Sequence, residues 1–245
     1  MLTGFWKLTW VETKVFVREP MGVFGTLGIP VILFIVLGRS LGAGEVGVSP
    51  VETAPFNVPI LAALVIAIGS VISLVAVISI YREGGILKRL RATPLSPVTI
   101  LGAHVFVKLA FTLLSLGLLV LAGRQIVPGA LDVDLLSFTA AVLLSTLSIL
   151  SLGFLIASFV PTARFAQPIS VAVLYPMLAI SGLFFPVESL SRPLEIVALW
   201  LPMTHAVALM QGIWDGSGWN LWSASALIAV FGFCTGLSTK IFRWE

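Results

Sequence analysis

The chain has 245 residues, of which 58% are hydrophobic and only 10% charged, with a formal net charge of +3. A water-soluble domain carries roughly 25% charge, and one of this length could not hide so much apolar surface in a single core. Composition therefore excludes a soluble globular protein. The basic residues, scattered in short clusters between apolar runs, do not form a nucleic-acid footprint either.

A membrane domain remains, and its charges punctuate one continuous series of apolar stretches. Residues 1–245 read as a single all-α membrane domain with six transmembrane helices. The lone Cys234 lies in an apolar run and closes no intrachain disulfide. The first apolar span begins near Met21 with no small-residue cleavage site after it, so it reads as a retained anchor rather than a signal peptide.

Residues 1–19 read as an interfacial helix. Lys7, Lys14 and Arg18 share one helical face, while Phe5, Trp6, Leu8, Trp10, Val15 and Phe16 cover much of the rest. Glu12 interrupts the apolar surface. The first span, about 20–38, lies uncharged between Glu19 and Arg39, and the second, about 58–80, lies between Glu52 and Arg82. A spanning helix needs about 20 apolar residues, and both qualify.

The third span, about 98–123, contains His104 and Lys108. Its uncharged remainder, 109–123, is roughly 22 Å of helix, short of the membrane's hydrocarbon core of about 30 Å. The helix is therefore expected to start at Pro97 with Ser96 as its cap, with Lys108 snorkelling toward the near surface. His104 and Lys108 then form an interfacial cation pair. A proton relay is the sharper alternative, but this span holds no acidic partner for it. The fourth span is about 135–160, the fifth about 166–186 and the sixth about 220–240. Trp219, Trp222 and Trp244 flank the sixth as aromatic-belt residues.

Residues 196–214 are also uncharged and compete as a further crossing. Basic residues decide sidedness. With six spans, Lys7, Lys14, Arg18, Arg82, Lys88, Arg89, Arg91, Arg164, Lys240 and Arg243 fall on one side, and Arg39, Arg124 and Arg192 on the other. Another crossing would move Lys240 and Arg243 outside. Residues 187–214 are therefore read as an outer re-entrant helical hairpin between spans five and six. Both termini are then cytoplasmic, in a multi-pass protein of the cell (inner or plasma) membrane.

Between spans two and three, Tyr81–Pro97 reads YREGGILKRLRATPLSP. Ile86, Leu87 and Leu90 form an apolar stripe on a short cationic helix, with Lys88, Arg89 and Arg91 elsewhere. Gly84 and Gly85 loosen the chain before it, and Pro94 and Pro97 punctuate its end. Two readings stay open: an anchor for anionic headgroups, or a docking knob for a cytoplasmic partner. Membrane lipid is a partner in either case.

This loop resembles the cytoplasmic loop of type-two ABC exporter permeases, in the pattern Glu-x-Gly-Thr-Leu-x-x-Leu-x-x-Thr-Pro-Leu. Glu83, Gly85, Leu87, Leu90, Thr93, Pro94 and Leu95 fit, and Ile86 replaces Thr. A second segment is similar to that family's Ser-Gly-x-x-Phe-Pro-x-x-x-Leu-Pro followed by Leu-Pro-x-Thr-Tyr: Ser181, Gly182, Phe185, Pro186, Leu190, Pro202 and Thr204 fit. Arg192 stands near a usual Pro, and His205 stands where Tyr is common.

The resemblance implies a permease subunit paired with a second copy (a homodimer or related heterodimer) and docked on two cytoplasmic ABC ATPase subunits. It makes the loop a coupling helix, with Glu83, Gly84, Gly85, Leu87, Lys88, Arg89, Leu90 and Arg91 as the docking residues. It makes Phe184, Phe185, Pro186, Pro202 and Thr204 part of an outer gate in the re-entrant hairpin. ATP and Mg would sit on the partner, because the sequence has no G-x-x-x-x-G-K-[ST] and no Gly-Lys pair. The chain itself would be no enzyme and hold no cofactor. An amphipathic drug-like or lipid-linked substrate is expected, with polysaccharide export as the variant within the family.

Outside the family, an ATP-independent channel or secondary carrier is the alternative, although no internal repeat supports a carrier. A Ser181–His205 protease dyad would need the two side chains within hydrogen-bond reach. Two histidines and one cysteine, far apart, make a poor zinc set. The acidic residues Glu188, Glu195 and Asp215 read as solvated outer-loop charge.

Overall fold

The computed structural model describes residues 2–18, 23–42, 58–86, 97–126, 133–160 and 162–241. Among the described residues every regular element is helical. In a bilayer this is what the composition requires, because a helix pairs its own backbone groups where water cannot. In chain order the helices are α1 (Leu2–Arg18), α2 (Ile29–Gly42, entered through a π turn at Phe24–Gly28), α3 (Val58–Glu83) and α4 (Pro97–Ile126). They continue with α5 (Leu135–Phe159), α6 (Ala163–Ala179), the short α7 (Arg192–Ala198), α8 (Pro202–Trp214) and α9 (Leu221–Ile241).

Four stretches among the described residues are long and apolar enough to cross a membrane: Val58–Glu83, Gly102–Ala122, Leu135–Phe159 and Leu221–Ser238. The pair α7 and α8 also qualifies when taken together, but it is bent by 81°. The chain is thus an all-helical, multi-pass membrane protein. α6 has 17 residues, roughly 25 Å of helix. It ends sooner than the expected 166–186 because Gly182 adopts φ +82°, a left-handed conformation that turns the chain out of the helix.

α5 is the central post, packed against α3, α8 and α9. Its sequence explains this. Ser145, Ser148, Ser151, Gly153, Ala157 and Ser158 are buried and small, and small residues let helix backbones approach in a membrane. The Ser148 hydroxyl donates to the Leu227 carbonyl of α9 at 2.6 Å, and the Ser158 and Ser238 hydroxyls pair at 3.2 Å. The closest approach is at Gly153, where a Cβ would lie 2.5 Å from the Ser70 carbonyl oxygen. Ser70 belongs to a π-helical segment, Ile68–Ser73, inside α3. At its N-terminus α5 is capped by Asp134, whose carboxylate accepts from the Leu136 N–H (3.1 Å) and the Ser137 hydroxyl (2.6 Å). The Ser137 bond is the main reason the Asp134 carboxyl sits below its usual range.

The main apolar core joins α3, α4, α5, α6, α8 and α9 around Leu61, Ile66, Leu119, Phe138, Ile149 and Leu174. A second, smaller core lies at the far end of α3, where Leu74, Val75 and Ile78 meet Leu150, Ala157, Val160 and Ala166.

Candidate functional site

α3 ends in Tyr81-Arg82-Glu83, and each of these side chains reaches a different helix. The Arg82 guanidinium donates from Nη1 to the Val160 carbonyl (2.7 Å) and from Nη2 to the Ala157 carbonyl (3.0 Å). Those carbonyls close the C-terminus of α5, where backbone acceptors lack partners within the helix and a cation offsets the dipole. Glu83 Oε2 accepts the Ala163 N–H at 2.8 Å. Ala163 opens α6, and Thr162, at the cap position, contributes no side-chain bond there. A carboxylate from another helix therefore fills the cap. The Tyr81 hydroxyl donates to Glu12 of α1, 3.1 and 3.3 Å from its two oxygens. Directly after this clasp the helix stops. The Gly84 and Gly85 N–H groups bond back to Ile80 and Arg82, and Gly85 takes φ +66°. A side chain would strain that turn.

The far side of the clasp is a buried polar cluster. α1 lies along α4: Phe5 and Trp6 meet Phe106 edge to face, and Phe16 meets Phe111 at 4.2 Å between ring centroids. Its inward face carries Thr9, Glu12 and Phe16, all buried, while Trp6, Trp10, Val11 and Val17 are exposed. Glu12 thus points into the protein. Oε1 lies 3.3 Å from Nε2 of His104, which is also buried. Burial pushes the Glu12 carboxyl above its usual range, against the opposing pull of the Tyr81 bond and the Lys108 charge. Lys108 Nζ donates to Ser73 Oγ at 2.5 Å and lies 4.7 Å from the Phe16 ring centroid.

This corrects the expectation of an interfacial cation pair. His104 and Lys108 face inward because α1 delivers the acid that their own span lacks. Glu12, an apparent flaw in an amphipathic helix, is the residue that meets them.

At the other end of the molecule His205 ties three helices together. Its Nε2 lies 3.0 Å from the Leu199 carbonyl just beyond α7, and its Nδ1 lies 3.4 Å from Ser223 Oγ on α9. A carbonyl only accepts, so Nε2 carries the proton, and Nδ1 then accepts from the serine hydroxyl. Ser181 Oγ donates to Leu178 O instead, so no hydrogen bond links it to His205 as a protease dyad requires.

A family model described as ABC-2 type transporter matches residues 3–214. The chain belongs to the ABC-2 type transporter family. No curated protein matches it. The match takes in both segments named in the sequence analysis and ends at the last residue of α8. This chain is therefore an ABC transporter permease, a membrane component of a transport system.

Of the ABC-2 permease's expected docking residues, Glu83, Gly84 and Gly85 form the helix end just described. Leu87, Lys88, Arg89, Leu90 and Arg91 lie outside the described residues. The expected gate residues divide. Phe184, Phe185 and Pro186 are exposed on the turn after α6, whereas Pro202 and Thr204 are buried at the start of α8. Sequence reasoning registered Glu12 only as an interruption of an apolar surface, gave Tyr81 no role and read Arg82 only as a sidedness marker. Their partners lie far along the chain, and the one local signal was an acid set among apolar residues.

Proposed function

We propose that this chain is the six-span permease subunit of an ABC exporter, whose 81–97 loop receives the motion of a separate ATPase. The whole of 1–245 is one permease domain. Two permease copies enclose a path for an amphipathic drug-like or lipid-linked substrate, and two cytoplasmic ATPase subunits hold the ATP and Mg. α2, α3, α4, α5, α6 and α9 are the spans, both termini are cytoplasmic, and the bent pair of α7 and α8 forms the outer re-entrant hairpin beside the Phe184–Pro186 turn.

The observation that carries this reading is the Tyr81-Arg82-Glu83 clasp. A loop that only gripped headgroups would have no use for side chains locking its root to three helices. A loop that is pushed needs that rigidity, since displacement at the loop then reaches α1, α5 and α6 together. The test is copurification of the tagged permease with a Walker-bearing subunit, followed by ATP hydrolysis of the reconstituted complex. Glu83→Ala removes the α6 cap, at about 1 kcal/mol. The variant is expected to fold and assemble while permease-stimulated hydrolysis falls. Normal coupled turnover in it would remove Glu83 from the mechanism. Transport indifferent to ATP, with no ATPase subunit recovered, would favour a channel or secondary carrier instead.

A further inference from the structure

Of the buried cluster between α1, α3 and α4, the coupling scheme uses only the Tyr81–Glu12 bond, and it gives no role to the facing of Glu12 with His104 and Lys108. The cluster's members are Glu12 from α1, Tyr81 from α3, and His104 and Lys108 from α4, the titratable groups that face one another there among the described residues. Arg82, also on α3, turns away to α5. Ionisable residues inside a membrane domain are rare and paired, and they mark functional pathways. Glu12 is buried all the same, with only 6% of it exposed.

The geometry specifies what the pair binds. Oε1 of Glu12 and Nε2 of His104 face each other at 3.3 Å, and Nε2 has no well-formed hydrogen bond of its own among the described residues. Two bare lone pairs at that separation repel, so a proton belongs between them. One arrangement is an Nε2–H imidazole against a carboxylate, which with the Lys108 ammonium leaves the cluster neutral. Taking up one more proton gives either an imidazolium–carboxylate pair or a neutral imidazole beside a carboxylic acid, and a cluster charge of +1. Tyr81 donates to the carboxyl in every state, and Lys108 limits uptake to one proton.

We propose that Glu12 and His104 form a proton-binding site that latches α1 onto α3 and α4. The site stands whether or not an ATPase partner is found. Docking buries the Glu12 carboxyl and raises its proton affinity, so by linkage the proton held on that carboxyl favours docking. The sign is that of an acid with a raised pKa. The stabilisation is full below the free carboxyl's ordinary value of 4.5 and is lost as pH rises through the higher value of the docked state.

The test uses the full-length permease in lipid nanodiscs, with cysteines replacing Phe5 and Gly102 in a Cys234→Ser background. A Cβ at position 102 would lie 3.7 Å from the Phe5 ring, so a short bifunctional thiol reagent reports docking. Cross-linking, corrected for thiol reactivity with a monofunctional reagent, is expected to rise several-fold on acidification. In Glu12→Gln it is expected to be high and independent of pH, because the amide can accept from Tyr81 and donate to Nε2. Infrared difference spectra should show a titrating carboxyl C=O band that Glu12→Gln removes. Tyr81→Phe deletes a bond favouring the carboxylate, so its cross-linking midpoint should move to higher pH. That variant also decides the matter if Glu12→Gln does not fold. An identical pH profile in wild type and Glu12→Gln, a carboxyl band that persists in Glu12→Gln, or an unmoved midpoint in Tyr81→Phe overturns the proposal.

Discussion

At the scale of residues, the working parts are polar groups placed at helix ends. Arg82 is the clearest case, because its fork matches two carbonyls that α5 cannot satisfy itself. Arg82→Ala is expected to destabilise the permease by about 1.5–3 kcal/mol, the range for hydrogen bonds to charged groups. Arg82→Lys should restore only part, since an ammonium lacks the planar fork. Thermal unfolding of the detergent-solubilised protein measures both, and equal stability of the alanine variant would show that the clasp is not formed. Gly153 is the second case. A methyl there meets the Ser70 carbonyl oxygen at 2.5 Å, and backbone yields poorly, so Gly153→Ala should lose about 1–3 kcal/mol by overpacking. An unchanged melting temperature would mean that α3 and α5 do not approach as described. The role of Gly85 was half legible in advance, since two glycines before a cationic stretch announce a break. The role of Glu83 as a cap for α6 was not, because its donor, the Ala163 N–H, lies eighty positions on and nothing local names it.

At the scale of elements, apolar runs marked where helices lie among the described residues: α5 and α9 fall close to their uncharged stretches, and α4 is described from Pro97 onward. The π segment in α3 was invisible, because no residue pattern in Ile68–Ser73 announces it. α1 illustrates the same limit from another side. Its pattern of cations and aromatics describes an interfacial helix, and only the packing on α4 shows that its acid turns inward. The bent pair of α7 and α8 is tied by His205, whose ring links the chain just past α7 to α8 and α9. His205→Phe keeps a flat ring but strands the Leu199 carbonyl, a loss of about 1–3 kcal/mol. Spin labels on α7 at position 195 and before α9 at position 219 should give a narrow distance distribution in the parent and a broad one in this variant. Identical distributions would assign the 81° bend to the Trp200-Leu201-Pro202 backbone alone.

At the scale of the whole molecule, the proposed topology makes a direct prediction. Single cysteines near both termini should react only with reagent admitted to the cytoplasmic side, and cysteines at Glu188 and Asp215 only from outside. Labelling of the C-terminal site from outside would convert the hairpin into a true crossing. Membership of the ABC-2 family and the all-helical, multi-pass architecture were readable without coordinates. Charge density, apolar run length and two short motifs are local properties, and in a membrane they leave few alternatives to the helix. The tertiary structure decided which helix end each polar side chain completes, where α3 and α5 touch, and that Glu12 meets His104. Those outcomes depend on helix rotation and depth, which are set by packing between segments far apart in the chain.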